Sequence, residues 1–167
     1  VGGSAGLPRL VLGIFSTANV RSAYLDSLKE LWCIMPILTF VARASDGNLL
    51  TASMEVAGAP GVNFDSYKQQ AKMILSKLNH RSPPKCSFES GDYTFHYIIE
   101  DGVCYMTLCE RNYDKRLSFG FLEDIKREFV AELTRDIGPN YRDKIDTVDH
   151  PYAFIKFDKV IQRKRRE

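Results

Sequence analysis

Thr94-Phe95-His96-Tyr97-Ile98-Ile99-Glu100-Asp101-Gly102-Val103-Cys104-Tyr105 decides the fold of this chain. It reads as a strand, a tight turn and a return strand, with Asp-Gly supplying the positive φ that a short hairpin needs. The first strand puts Tyr93, Phe95, Tyr97 and Ile99 on one face and Thr94, His96 and Ile98 on the other. The second puts Val103, Tyr105 and Thr107 against Cys104, Met106 and Leu108. Neither strand has a clean polar face, so both faces of the sheet are expected to be covered by helices.

Outward from this hairpin the pattern stays regular. Cys86 to Ser90 is a further strand, joined to the first by a Gly91-Asp92 turn. Ile37 to Arg43 and Leu49 to Met54 form a second hairpin around Ser45-Asp46-Gly47-Asn48. A polar loop, Glu55 to Asn63, leads into a helix whose apolar stripe is Tyr67, Ala71, Ile74, Leu75 and Leu78. Asp65 or Ser66 is its expected cap, and Pro83-Pro84 its stop. A longer helix follows, capped by Asp114, with the stripe Leu117, Phe121, Leu122, Ile125, Phe129 and Leu133. Glu123 and Arg127 make a favourable i, i+4 pair in it. Asp136 to His150 reads as a polar connection, and Pro151 suits the first position of a last helix with Phe154, Phe157 and Ile161 on one face.

The order from Ile37 is therefore ββαβββαα, an α/β (α+β) domain. The expected architecture is a five-stranded antiparallel sheet between one helix and two helices. Residues 1–34 read as an N-terminal extension of unknown role, with a short helix at Ala23–Trp32 capped by Ser22. Met35 is the candidate start of the domain, which runs over 35–163. Residues 164–167 read as the basic start of a linker.

The totals narrow the function. The chain has 167 residues, with 23 Lys and Arg against 21 Asp and Glu and a formal net charge of +2. That near-balance lacks the basic face of a nucleic-acid protein. The dense basic run Arg163–Arg166 reads as a solvated helix end, since cations suit a helix C-terminus. The longest apolar stretch, Leu31 to Ala42, is interrupted by Pro36 and Thr39 and falls short of the ~20 residues that span a bilayer. Cys33, Cys86, Cys104 and Cys109 show no CxxC spacing and read as free thiols of a reducing compartment. No metal-ligand spacing and no phosphate-binding loop occurs, so no cofactor is expected.

His96 is the residue that suggests catalysis. A dyad with Cys104 or Cys109 would need hydrogen-bond reach and an oxyanion site, and the sequence suggests neither. A structural His inside the core is the reading adopted; a Cys-dependent hydrolase or small-ligand sensor is the competing one. Without a catalytic site the candidate becomes a surface. The groove between helix 67–78 and strand 86–90 is expected to bind protein, with Tyr67, Ala71, Ile74, Leu75, Leu78, Cys86 and Phe88 contributing.

Several stretches resemble one family in order along residues 35–163. They are Thr39-Phe40-Val41-Ala42-Arg43-Ala44-Ser45-Asp46-Gly47, Tyr67-Lys68-Gln69-Gln70-Ala71-Lys72, the central hairpin, Leu122-Glu123-Asp124-Ile125-Lys126 with Glu128-Phe129, and Pro151-Tyr152-Ala153-Phe154-Ile155-Lys156-Phe157-Asp158. Together they are similar to a longin domain, and more narrowly to the amino-terminal domain of an ER–Golgi R-SNARE. The resemblance implies a profilin-like sandwich without enzymatic activity. It implies a regulatory and sorting module on the cytosolic face of endoplasmic reticulum and Golgi membranes and of transport vesicles. It also implies three partners: the protein's own downstream SNARE segment, COPII coat proteins, and cognate SNAREs through a missing motif. Membrane contact would come only through a missing C-terminal anchor. A longin-like subunit of a tethering or adaptor complex is the alternative. The chain stops where SNARE heptads would begin, and the connection Leu133 to His150 is longer than the family's usual one.

Overall fold

The computed structural model describes residues 36–54 and 62–167. The expected helix Ala23–Trp32, its cap Ser22, Cys33, Met35 and most of the loop 55–61 lie outside the described residues. The strands are β1 (Leu38–Arg43), β2 (Leu49–Ser53), β3 (Lys85–Ser90), β4 (Tyr93–Glu100) and β5 (Val103–Glu110). The helices are α1 (Asp65–Lys77), α2 (Lys115–Asp136), α3 (Tyr141–Thr147) and α4 (Asp158–Arg166), with a 3-10 turn at Ile155–Phe157.

All strand pairs are antiparallel, in the order β2-β1-β5-β4-β3. The deciding hairpin is β4–β5, closed across Asp101 (φ 53) and Gly102 (φ 77). Positive φ at both central residues matches the twist of the flanking strands. Both faces of the sheet are covered, as the mixed strands require. On one face α1 packs Ala71 and Leu75 onto Phe40, Phe95, Tyr97 and Met106. On the other, α2 and α4 pack Leu122, Ile125, Phe129 and Ile161 onto Val41, Ile98 and Tyr105. Phe129 is central there, with its ring 5.0 Å from Phe157 and 6.0 Å from Tyr105.

Five local expectations are corrected. Neither Asp65 nor Ser66 caps α1; the N-cap is Phe64, and Asn63 Oδ1 accepts the Asp65 N–H at 2.9 Å. Leu117 points to solvent at 58% exposure, and Ser118 is buried in its place. Ser118 Oγ donates to the Asp114 carbonyl at 3.2 Å and to Cys109 Sγ at 3.5 Å, so a small side chain lets α2 approach β5 closely. Arg127 pairs with Asp124 rather than Glu123, and Glu123 is taken by Lys85 and Lys126. The connection 136–150 contains α3, whose Ile145 is buried. The last helix begins at Asp158, not Pro151, because the intervening chain turns along the sheet. Tyr152, at φ 60, donates its N–H to Leu49 at 2.6 Å, and Phe154 donates to Leu50 at 2.9 Å.

That last segment covers the outer edge of β2. The opposite edge, β3, has no strand on its outer side among the described residues. The two edges of the sheet therefore differ, and the difference positions the candidate site.

Candidate functional site

The seven residues expected to form the groove all come together on the α1 face, but they divide into floor and rim. Ala71, Leu75 and Leu78 are buried between α1 and the sheet and belong to the core. Tyr67, Ile74, Cys86 and Phe88 are half-buried and pack against that core from its open side. Only these four are reachable by a partner. Phe88 stacks on Phe95 with ring centroids 5.3 Å apart. Tyr67 sits 4.9 Å from Tyr93, edge to face, with its hydroxyl over the β3–β4 turn. A Cβ on Gly91 would lie 2.9 Å from that hydroxyl, the tip of a side chain that can yield, so it is the φ of 60 that favours glycine at the turn.

One end of the groove is tied shut by Ser90 Oγ donating to Gln70 Oε1 at 2.6 Å. Past Gln70, the same flank of α1 carries Ile74 and Met73. Met73 is 54% exposed. The sequence reading missed it, because Met73 lies outside the stripe that faces the sheet, and periodicity assigns such a position to solvent. An exposed methionine is a soft, adaptable side chain suited to an apolar peptide contact.

The β3 backbone adds polar recognition to this rim. Ile99 donates its N–H to the Pro84 carbonyl at 2.8 Å, continuing the β3–β4 ladder. Hydrogen-bonded and non-bonded pairs alternate in an antiparallel ladder. The register then turns Cys86, Phe88 and Ser90 toward β4, and leaves the backbone groups of Lys85, Ser87 and Glu89 aimed outward. An extended segment can add to such an edge and place alternate side chains into the groove.

His96 and Cys104 lie on opposite faces of the sheet, whereas Cys109 shares the face of His96 against the Ser118–Phe119 turn of α2. Burial pushes the Cys104 thiol up to about 12 and the Cys109 thiol up to about 11. Both stay protonated near neutrality, which removes their nucleophilic form. His96 belongs to a row that takes one residue from each strand: Ser53, Thr39, Thr107, His96 and Ser87. Its Nδ1 shares a hydrogen bond of 2.7 Å with Ser87 Oγ, its ring meets Phe119 edge to face, and its buried Nε2 has no partner. Among the described residues, no three His, Cys, Asp or Glu side chains are grouped so as to hold a metal ion.

Burial, helped by the Lys115 charge, lowers the His96 pKa to about 4. The unfolded imidazole takes its proton near 6.5. The stability held by the neutral ring is therefore complete above pH 6.5 and is lost as the pH falls toward 4. Between pH 6.5 and 4.5 the protein is expected to lose about 2 kcal/mol from this group. Urea titrations of the wild type and His96→Asn at the two pH values check this; equal losses in both would refute it.

A cavity of about 410 Å³ opens elsewhere, between α2, α3 and the β4–β5 turn. Its charged walls are already paired with one another: Lys126 with Glu100 and Glu123 at 2.6 Å, Arg142 with Asp101 at 2.5 Å. It offers little unpaired charge to a ligand, and the α1–β3 rim remains the better candidate.

A family model for longin, the regulated-SNARE-like domain, matches residues 54–161. The chain is 42% identical over 132 residues to the vesicle-trafficking protein SEC22b of Xenopus tropicalis, across 79% of this chain and 58% of that protein. The vesicle-trafficking protein SEC22b-B of Danio rerio gives the same identity and coverage. Identity to the protein transport protein sec22 of Schizosaccharomyces pombe is 39% over 122 residues, across 72% of this chain and 53% of that one. The chain thus spans less than two thirds of the length of these relatives.

Proposed function

The chain belongs to the longin family of regulated-SNARE-like domains, and on that premise we propose that it is the non-catalytic regulatory and sorting domain of a vesicle R-SNARE in ER–Golgi traffic. The domain occupies residues 35–163 in this reading. The names of the relatives, vesicle-trafficking and protein transport proteins, support the general role. The protonated thiols and the bond of His96 Nδ1 to a serine hydroxyl support the absence of catalysis. Residues 164–166, expected as the start of a linker, form the last turn of α4. Among the described residues no helix is long and apolar enough to cross a membrane, and the proposed station on the cytosolic face of ER and Golgi membranes depends on an anchor outside this chain.

The observation that carries the reading is the half-open rim beside an unpaired strand edge. The proposed occupant is the protein's own downstream SNARE segment. Docked, it would hold the SNARE closed; released, it would leave the segment free for cognate SNAREs. COPII coat proteins that bind the closed form would then select it by differential affinity alone.

Titrating the downstream segment into the labelled domain should shift the amide resonances of Tyr67, Met73, Ile74, Cys86 and Phe88. Ile74→Asp places a charge on the rim without emptying the core, and should weaken the complex about tenfold or more. Shifts confined to other surfaces, or binding unchanged in Ile74→Asp, would sink the groove proposal.

A further inference from the structure

The outer edge of β3 is self-complementary. Lys85, Ser87 and Glu89 are the residues whose backbone groups face outward. Set antiparallel to a second copy of itself about Ser87, the strand places Lys85 opposite the partner copy's Glu89 and Glu89 opposite its Lys85. Ser87 then faces Ser87 on the two-fold axis. All three positions are outward-facing in both copies, so the pairs that charge selects are the pairs that can exchange backbone hydrogen bonds. A slip of two residues either way loses both ion pairs, and a slip of four sets like charges opposite each other. The edge therefore specifies one register, which a merely solvated edge has no need to do.

The side chains are available for this. Lys85 pairs with Glu123 at 3.0 Å and Glu89 with Arg111 at 3.0 Å, but in both pairs the side chains are substantially exposed. Such surface pairs hold their partners weakly and exchange readily. On the α1 face the same register brings Cys86 of one copy against Phe88 of the other, extending the half-buried rim across the axis. Charged residues on an edge strand commonly guard against indiscriminate pairing; here their spacing admits one partner.

We propose that two copies of this chain associate through β3 into a two-fold symmetric dimer with a continuous ten-stranded sheet. A two-fold interface is isologous, using one patch twice, as this one does. The contact is small, which places the dissociation constant on the order of 0.1–1 mM, in the transient range. The proposal does not rest on docking of a downstream segment. The segment and a second copy would compete for the one β3 edge, so a monomer that still binds the segment would overturn only the dimer, and a dimer that excludes the segment would leave the dimer standing.

Sedimentation equilibrium of the 167-residue chain, with amide spectra to verify folding, tests it. The wild type should dimerise. Lys85→Glu and Glu89→Lys should each weaken association about tenfold or more, and the double swap should restore it to within about threefold. Ser87→Cys should form a covalent dimer on oxidation, and Glu89→Cys should not. A wild type that stays monomeric at millimolar concentration would overturn the proposal, as would single swaps without effect. A double swap that fails to recover association would equally refute the register.

Discussion

Replacing Arg43 with Ala is expected to cost the domain about 2–3 kcal/mol, and to lower its Tm by roughly 5–10 °C. Arg43 ends β1, and its side chain is 11% exposed. Nη1 donates to three carbonyls at the end of α3: Ile145 at 2.7 Å, Asp146 at 2.9 Å and Val148 at 2.8 Å. Nε and Nη2 grip Asp46 in two bonds of 3.0 and 2.6 Å. One side chain thus closes the β1–β2 turn and anchors a helix more than 100 residues away. Truncation strands the part-buried carbonyls of Ile145 and Val148, while the half-exposed Asp46 falls back on water and the Asn48 N–H; a stranded group costs more than the net worth of the bond it lost. Arg43→Lys should recover less than half, since one ammonium cannot span both sets of acceptors. A loss below about 1 kcal/mol by chemical denaturation would refute the clamp.

The same clamp has an acid signature. The Arg43 hydrogen bonds hold the Asp46 carboxyl below its ordinary range. A depressed carboxylate contributes stability that is present above its unfolded pKa and lost as the pH falls through its folded one. Stability of the wild type should therefore converge on that of Asp46→Asn only below about pH 4. A gap that closes at neutral pH would assign the effect to another group.

What the sequence made legible follows from what kind of interaction fixes each part. The strands and their faces were readable because period-two alternation and Asp-Gly turns are local and act within ten residues. α1 was readable because its stripe is continuous. α3 was not: it has one buried side chain, Ile145, and its carbonyls are satisfied by Arg43 from the far end of the chain. Pro151 gave a helix-start signal that the fold overrides, because Tyr152 and Phe154 spend their N–H groups on the edge of β2. Ser118 for Leu117 is the same lesson at one position. Helix α2 must approach β5 closely at Cys109, and closeness, not hydrophobicity, chose the inward residue. In the proposed groove, the pattern pointed to a helix and a strand but could not separate floor from rim. One apolar stripe supplies both, and only the packing of α1 on the sheet decides that Ala71 and Leu75 are sealed while Ile74 is not.

Gly47 lets the β1–β2 turn meet the last turns of α1, and Gly47→Ala is expected to destabilise the domain by about 3 kcal/mol. Gly47 has φ 72, a left-handed conformation costing a non-glycine residue about 1 kcal/mol. The larger part of the effect is steric. A Cβ would stand 2.8 Å from the Leu75 carbonyl carbon and oxygen and 2.9 Å from the Ser76 Cα. These are backbone atoms of the last turns of α1, which no rotamer change can move aside. Gly102 supplies the internal control: its φ is 77, but a Cβ there meets nothing within 4 Å. Gly102→Ala should therefore cost only the conformational part, about 1 kcal/mol. If the two variants lose equal stability, the close approach of the β1–β2 turn to α1 contributes nothing. If Gly47→Ala is worse and still folds, α1 must have shifted at its C-terminal end, beside Ile74 and Leu78. The amides of Leu75 and Ser76 should then move most, and affinity for the downstream segment should fall although no rim residue has been touched.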